Sequence, residues 1–153
     1  MAGMIISFLK GILVLLAAVP FSFLACFGIP FQKHGRIVHA NGKAWSKFIL
    51  WIFGIKVHVR GAEHIQSGTT YVYVANHASM FDIPAVISFI PDQIRLVVKK
   101  ELTRIPVWGW AMKYGGYISI DRSNPIAAAR SLEAAAEKIR DGTSVLLFAE
   151  GTR

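Results

Sequence analysis

The spacing of hydrophobic and polar positions changes several times along this chain. From Gly11 to Gln32 run 22 uncharged, mostly apolar residues, with Lys10 on one side and Lys33 and Arg36 on the other. At about 1.5 Å per residue, a helix of that length crosses a bilayer. Pro20 in its middle and Pro30 near its end leave two arrangements open: one kinked span, or two shorter helices dipping into one leaflet. Residues 33 to 46 are polar and basic, with Gly35 and Gly42, and read as a connector at headgroup level. Trp45, Phe48, Ile49, Trp51 and Ile52 then mark a short apolar helix, suited to a membrane interface or to a core face.

Beyond Gly54 the period shortens. Ile55 to Arg60 alternates apolar and polar residues and predicts a strand with one wet side. Tyr71 to Ala75 is aromatic and β-branched, the composition of a buried strand, and stops at Asn76. Ser79 and Asp82 have the spacing of a capping box and predict a helix through Ile83 to Ile87, with Pro84 in or beside its first turn. Ile94 to Val98 predicts a strand, and Ile105-Pro106-Val107-Trp108 the start of a short helix. Tyr117 to Arg122 predicts a strand. Asn124-Pro125 opens a helix to about Arg140, with Ala129, Leu132, Ala136 and Ile139 as its inner stripe and Gly142 as its stop. Ser144 to Phe148 predicts a last strand.

Strands alternating with helices indicate an α/β fold, a largely parallel sheet flanked by helices. The division expected is an apolar, membrane-associated helical region over residues 1–54 and an α/β domain over 55–153. In such a sheet the loops after the strands gather at one edge, and His77, Lys100, Arg122, Glu150 and Arg153 all follow predicted strands.

Charge sharpens the reading of the front region. Residues 1 to 62 carry seven Lys or Arg and no Asp or Glu, whereas residues 63 to 153 carry ten basic and nine acidic residues. A basic, acid-free and apolar segment suits an anionic lipid surface. Nucleic acid, the other partner a basic balance suggests, fits poorly, because the charges are interleaved with long apolar runs and no nucleic-acid motif is visible. Basic residues are denser after the apolar run than before it, which points to a cell membrane with the remainder on its cytoplasmic face. Leu24-Ala25-Cys26 is a weak match to an export signal, since Phe23 fits it badly and only Lys10 supplies a basic region. Cys26 is the single cysteine, so no intrachain disulfide forms.

Candidate chemistry centres on Asn76-His77-Ala78-Ser79-Met80-Phe81-Asp82. A tight strand-to-helix bend folds the Asp82 carboxylate back toward the His77 imidazole, holds one ring nitrogen protonated and leaves the other to take a proton. The plainer alternative is that Asp82 only caps its helix and His77 is a hydrogen-bonded loop residue. His34, His39, His58 and His64 show no paired metal spacing, so no metal site is expected.

Three stretches, Asn-His-x4-Asp at 76 to 82, Gly-Tyr-Ile-Ser-Ile-Asp-Arg at 116 to 122 and Phe-Ala-Glu-Gly-Thr-Arg at 148 to 153, occur together in one order. With them the chain resembles the glycerolipid acyltransferase family over roughly residues 45 to 153, and most closely its 1-acyl-glycerol-3-phosphate acyltransferases. The resemblance implies transfer of an acyl group from acyl-CoA or acyl carrier protein to the free hydroxyl of lysophosphatidate, giving phosphatidate, with no cofactor beyond that donor. It implies His77 as base and Asp82 as its orienting partner. It further implies acceptor binding by Arg122, Glu150, Gly151, Thr152 and Arg153, with Lys100 a further phosphate candidate. Other acceptors, glycerol 3-phosphate or another lysophospholipid, belong to the same family, and a membrane-anchored lipid-binding module without catalysis is the alternative from another class. Ala149 departs from the proline usual in the third motif. Relatives continue past that motif, so the C-terminal part of the family fold is expected to be missing.

Overall fold

The computed structural model describes residues 2–31, 35–121 and 125–149. Four strands, β1 (Val72–Ala75), β2 (Ile94–Lys99), β3 (Ile118–Ile120) and β4 (Ser144–Phe148), form one sheet in the order β1-β4-β2-β3 with every pairing parallel. Three helices make the crossovers, α3 (Asp82–Phe89), α4 (Trp108–Tyr114) and α5 (Pro125–Arg140). Two more, α1 (Ala2–Gly28) and α2 (Arg36–Phe53), precede the sheet. The α/β expectation holds, with a wholly parallel sheet among the described strands.

Side-chain alternation sorts the sheet into two faces. Leu96 and Val98 of β2 and Leu146 of β4 join Ile87 and Met112 from α3 and α4, with Tyr73, Ala75 and Phe148 packed alongside. The opposite face joins Val145 and Ile118 to Ala135 of α5, with Val97 and Leu147 beside them. Leu146 and Val145 are fully buried on β4, one of the two inner strands, each side chain worth roughly 1.5–3 kcal/mol of hydrophobic stabilisation. On α5 Ala135 is the buried position and Ile139 packs beside it as the expected stripe requires, whereas Leu132 is 51% exposed, so only part of that stripe faces the sheet.

β1 is not the fully buried strand its composition suggests. It is an edge strand whose Tyr73 and Ala75 face α3, while Val72 and Val74 are half or more exposed on the other face. α5 packs on β3 and β4. Ile55 to Arg60 keeps part of its alternating burial but joins no ladder among the described residues, so the strand expected there is absent.

At the front, α1 is one continuous helix of 27 residues that passes through Pro20, which excludes the two short helices. It starts well before Gly11, so Lys10 lies within it. Gly3–Phe31 is long and apolar enough to cross a membrane, and little of it is buried against the rest of the chain. Residues 36 to 46 are not a connector but the first part of α2, which runs unbroken through Gly42 to a left-handed Gly54 that closes its last turn onto Leu50 and Trp51. Polar residues of α2 point inward because partners await them. The His39 Nε2–H donates to the Asp92 carbonyl at 3.2 Å, the Lys43 ammonium to the Ile90 carbonyl at 2.7 Å, and the Asn41 amide to the Phe21 carbonyl of α1 at 2.8 Å. Burial first, then the charges of Arg95 and Lys43, hold His39 down to about 4, so it is neutral at pH 7. In this way α2 docks on α3, and α1 packs on α2 and α4.

Candidate active site

His77 lies two residues beyond Ala75, on the same side of the sheet as Tyr73 and Ala75. Ala75 pairs with Phe148, and the His77 and Phe148 rings stack at 4.4 Å with planes 28° apart. This contact was readable in principle: Phe148 closes one predicted strand and His77 lies two residues past the end of another. It needed the β1–β4 pairing, which sequence alone did not supply.

The bend behind His77 is held by one carboxylate oxygen. Asp82 Oδ2 accepts from the Ser79 amide at 2.7 Å, from the Ala78 amide at 2.8 Å and from His77 Nδ1 at 3.3 Å. The Ser79 hydroxyl accepts from the Phe81 amide at 3.2 Å, so only the carboxylate half of the expected capping box forms. The two readings of Asp82 are therefore one structure, in which it closes the turn and holds the ring together. The Ser79 amide above all keeps its carboxyl below the usual range; burial, the next largest influence, opposes it, and the His77 ring and the Ala78 amide add to the lowering. An ionised carboxylate only accepts, so Nδ1 carries the proton, and in the neutral ring the lone pair is then on Nε2. Phe81 packs on Phe53 at 4.9 Å, tying the bend to the end of α2.

Lys100 follows β2 at the same carboxyl edge. Its ammonium is 3.2 Å from Asp121 Oδ2, just past β3. Thus Asp121, the neighbour of Arg122 in sequence, meets Lys100. With β4 between them, the carboxyl ends of β1 and β2 stand two strand spacings apart, about 10 Å. Arg122, Glu150, Gly151, Thr152 and Arg153 lie outside the described residues, as does Asn124.

Between the α1–α2 pair and the sheet with α3 and α4, a small apolar cavity of about 100 Å³ is lined by Trp108, Ile83, Ile87 and Met112, by Phe21 of α1 and by Trp45 of α2. On α4, Trp108 lines it and Trp110 faces outward, 55% exposed.

The family model described as Acyltransferase matches residues 56–153. The chain belongs to the acyltransferase family. Its similarity to a 1-acyl-sn-glycerol-3-phosphate acyltransferase from Limnanthes douglasii is 32% identity over 143 residues, 92% of this chain and 50% of that one. To an enzyme of the same description from Pseudomonas aeruginosa it is 33% over 137 residues, 86% of this chain and 51% of that one. The crystal structure of the 1-acyl-sn-glycerophosphate acyltransferase PlsC from Thermotoga maritima superimposes with a TM-score of 0.66 at 27% identity, covering 94% of this chain and 63% of that one. The chain spans about half the length of these two curated acyltransferases.

The stacked ring gives this family member a testable positioning residue. Phe148→Leu keeps the volume roughly but removes the aromatic face, so His77 is free to tilt. Because misplacing a catalytic group by an ångström costs on the order of 10²-fold, we expect kcat for acyl transfer to fall by roughly that factor with KM little changed. Phe148→Tyr is expected to retain most of the activity. Equal kcat in the wild type and Phe148→Leu would remove Phe148 from the site.

Proposed function

We propose that the protein transfers an acyl group from acyl-CoA or acyl carrier protein to the free hydroxyl of 1-acyl-glycerol 3-phosphate, forming phosphatidate at the cytoplasmic face of a membrane. The observation that carries this reading is the 3.3 Å contact between His77 Nδ1 and Asp82, in a chain of the acyltransferase family. An alcohol attacks a thioester slowly until its proton is taken, and His77 Nε2 is the base that takes it. The acceptor oxygen adds to the thioester carbonyl, the carbon–sulfur bond then breaks, and the imidazolium returns the proton to the leaving thiolate. Asp82 holds the ring and offsets its positive charge during the addition. Acceptor binding is assigned to Arg122, Glu150, Gly151, Thr152 and Arg153, the two arginines meeting the phosphate, with Lys100 as a further cation released from Asp121 when the phosphate arrives. The apolar, long α1 supports a membrane setting for both lipid substrates.

The test is transfer of labelled acyl chains by the purified chain in vesicles. Acyl-CoA and acyl carrier protein are tried as donors, and lysophosphatidate, glycerol 3-phosphate and lysophosphatidylcholine as acceptors. Labelled phosphatidate from lysophosphatidate is expected, with less product from the other two. Binding of lysophosphatidate without transfer from either donor would refute the enzymatic reading in favour of a lipid-binding module.

A further inference from the structure

A second polar recess, of about 530 Å³, opens at the amino edge of the sheet, the edge opposite His77. Its wall contains Arg95 near the start of β2, Gly116 just before β3, Thr143 just before β4, and Lys138, Asp141 and Tyr114 from the ends of α5 and α4. Arg95 is 2% exposed, and its Nη1 donates to the Ile94 carbonyl at 3.0 Å. Gly116, at φ 82°, marks where the cations converge: a Cβ there would stand 3.3 Å from Arg95 Nε and 3.7 Å from Lys138 Nζ. Glycine therefore keeps open the point that both charges reach. Asp141 supplies one negative charge against two positive ones, so the recess attracts anions.

The rim tells which anion. Ile29, just past the end of α1, forms part of the wall. Beside it Phe27 and Phe31 stack at 5.7 Å and are 74% and 73% exposed. One turn apart on α4, Trp110 and Tyr114 are also more than half exposed. α1 packs on α4, so these aromatics lie at the end of the helix long enough to span a bilayer. Aromatic side chains around a basic recess are what the interfacial zone of a membrane accommodates, ring in the acyl boundary and cation at the phosphate level.

We propose that this recess binds the phosphate of an anionic phospholipid headgroup, at a site separate from the one around His77. Lys138 offers a point charge to the phosphate oxygens and the buried Arg95 beneath Gly116 adds its positive charge from the recess floor, while the acyl chains run along the exposed side of α1. The site would fix the height and tilt of the sheet at the membrane independently of acyl transfer.

The full chain, reconstituted in nanodiscs of phosphatidylcholine with a minor fraction of phosphatidylglycerol, is extracted and its retained lipids counted by native mass spectrometry. Enrichment of phosphatidylglycerol is expected in the wild type and in Lys100→Ala. It should fall about fivefold in Lys138→Ala and further in Lys138→Glu, while the exposed control Lys56→Ala keeps it. Circular dichroism of each variant checks the fold, and Lys138, on the helix end, is replaced rather than the buried Arg95. Enrichment unchanged in Lys138→Glu, or lost equally in Lys56→Ala, overturns the proposal. So does enrichment lost in Lys100→Ala and kept in Lys138→Glu, which would move the lipid to the carboxyl edge. Displacement of the lipid by millimolar inorganic phosphate would identify a free-anion site and overturn the assignment to a headgroup.

Discussion

His77→Ala is expected to lower acyl transfer by about 10²- to 10⁴-fold, the usual contribution of a positioned general base. The expectation is specific because the fold does not depend on this ring. Asp82 keeps its bonds to the Ala78 and Ser79 amides when the imidazole is gone, so the bend survives. Phe148 loses a stacking partner but retains its packing against the α3 and α4 face of the sheet. The loss should therefore fall on kcat, with lysophosphatidate KM and the thermal unfolding midpoint little altered. The measurement is steady-state turnover with both donors, alongside thermal unfolding followed by circular dichroism. Unchanged turnover in the variant would refute His77 as the base.

The parallel sheet was legible because its strands are short, apolar and bounded by turn residues, and β2 and β4 fall where the pattern puts them. Where a segment's state depends on what it packs against, pattern alone misled. Polar residues and Gly42 made 33 to 46 resemble a loop, yet His39, Asn41 and Lys43 are polar because α2 meets backbone carbonyls of the 90–92 turn and of α1. Alternation over 55 to 60 predicted a strand, but a strand exists only when a ladder partner is present. Leu132 was placed inward by helical period, whereas the sheet meets α5 along Ala135, a narrower residue that lets helix and sheet approach closely. At the site, the spacing of His77 and Asp82 foresaw their contact. It could not show that one oxygen both caps the turn and holds the ring, because that depends on the path of residues 78 to 81.

This double use of Oδ2 makes Asp82 the residue whose replacement separates architecture from chemistry. In Asp82→Asn the amide oxygen can still accept from Ser79 and Ala78, so the bend should persist with a loss of no more than about 1 kcal/mol. What disappears is the charge that keeps the proton on Nδ1 and stabilises the imidazolium, and turnover is expected to fall by about 10²- to 10⁴-fold. Asp82→Ala loses the turn as well and should be both inactive and less stable. The pH dependence has a definite sign. The folded protein holds the Asp82 carboxyl below its unfolded value of about 3.9, so this group stabilises the fold above that pH, and the benefit is lost as pH falls through the lowered folded value. The stability gap between wild type and Asp82→Asn in urea unfolding should thus be present at pH 7 and shrink toward pH 3. An Asp82→Asn variant with wild-type turnover would leave Asp82 as a cap alone, and His77 would need another source for its orientation.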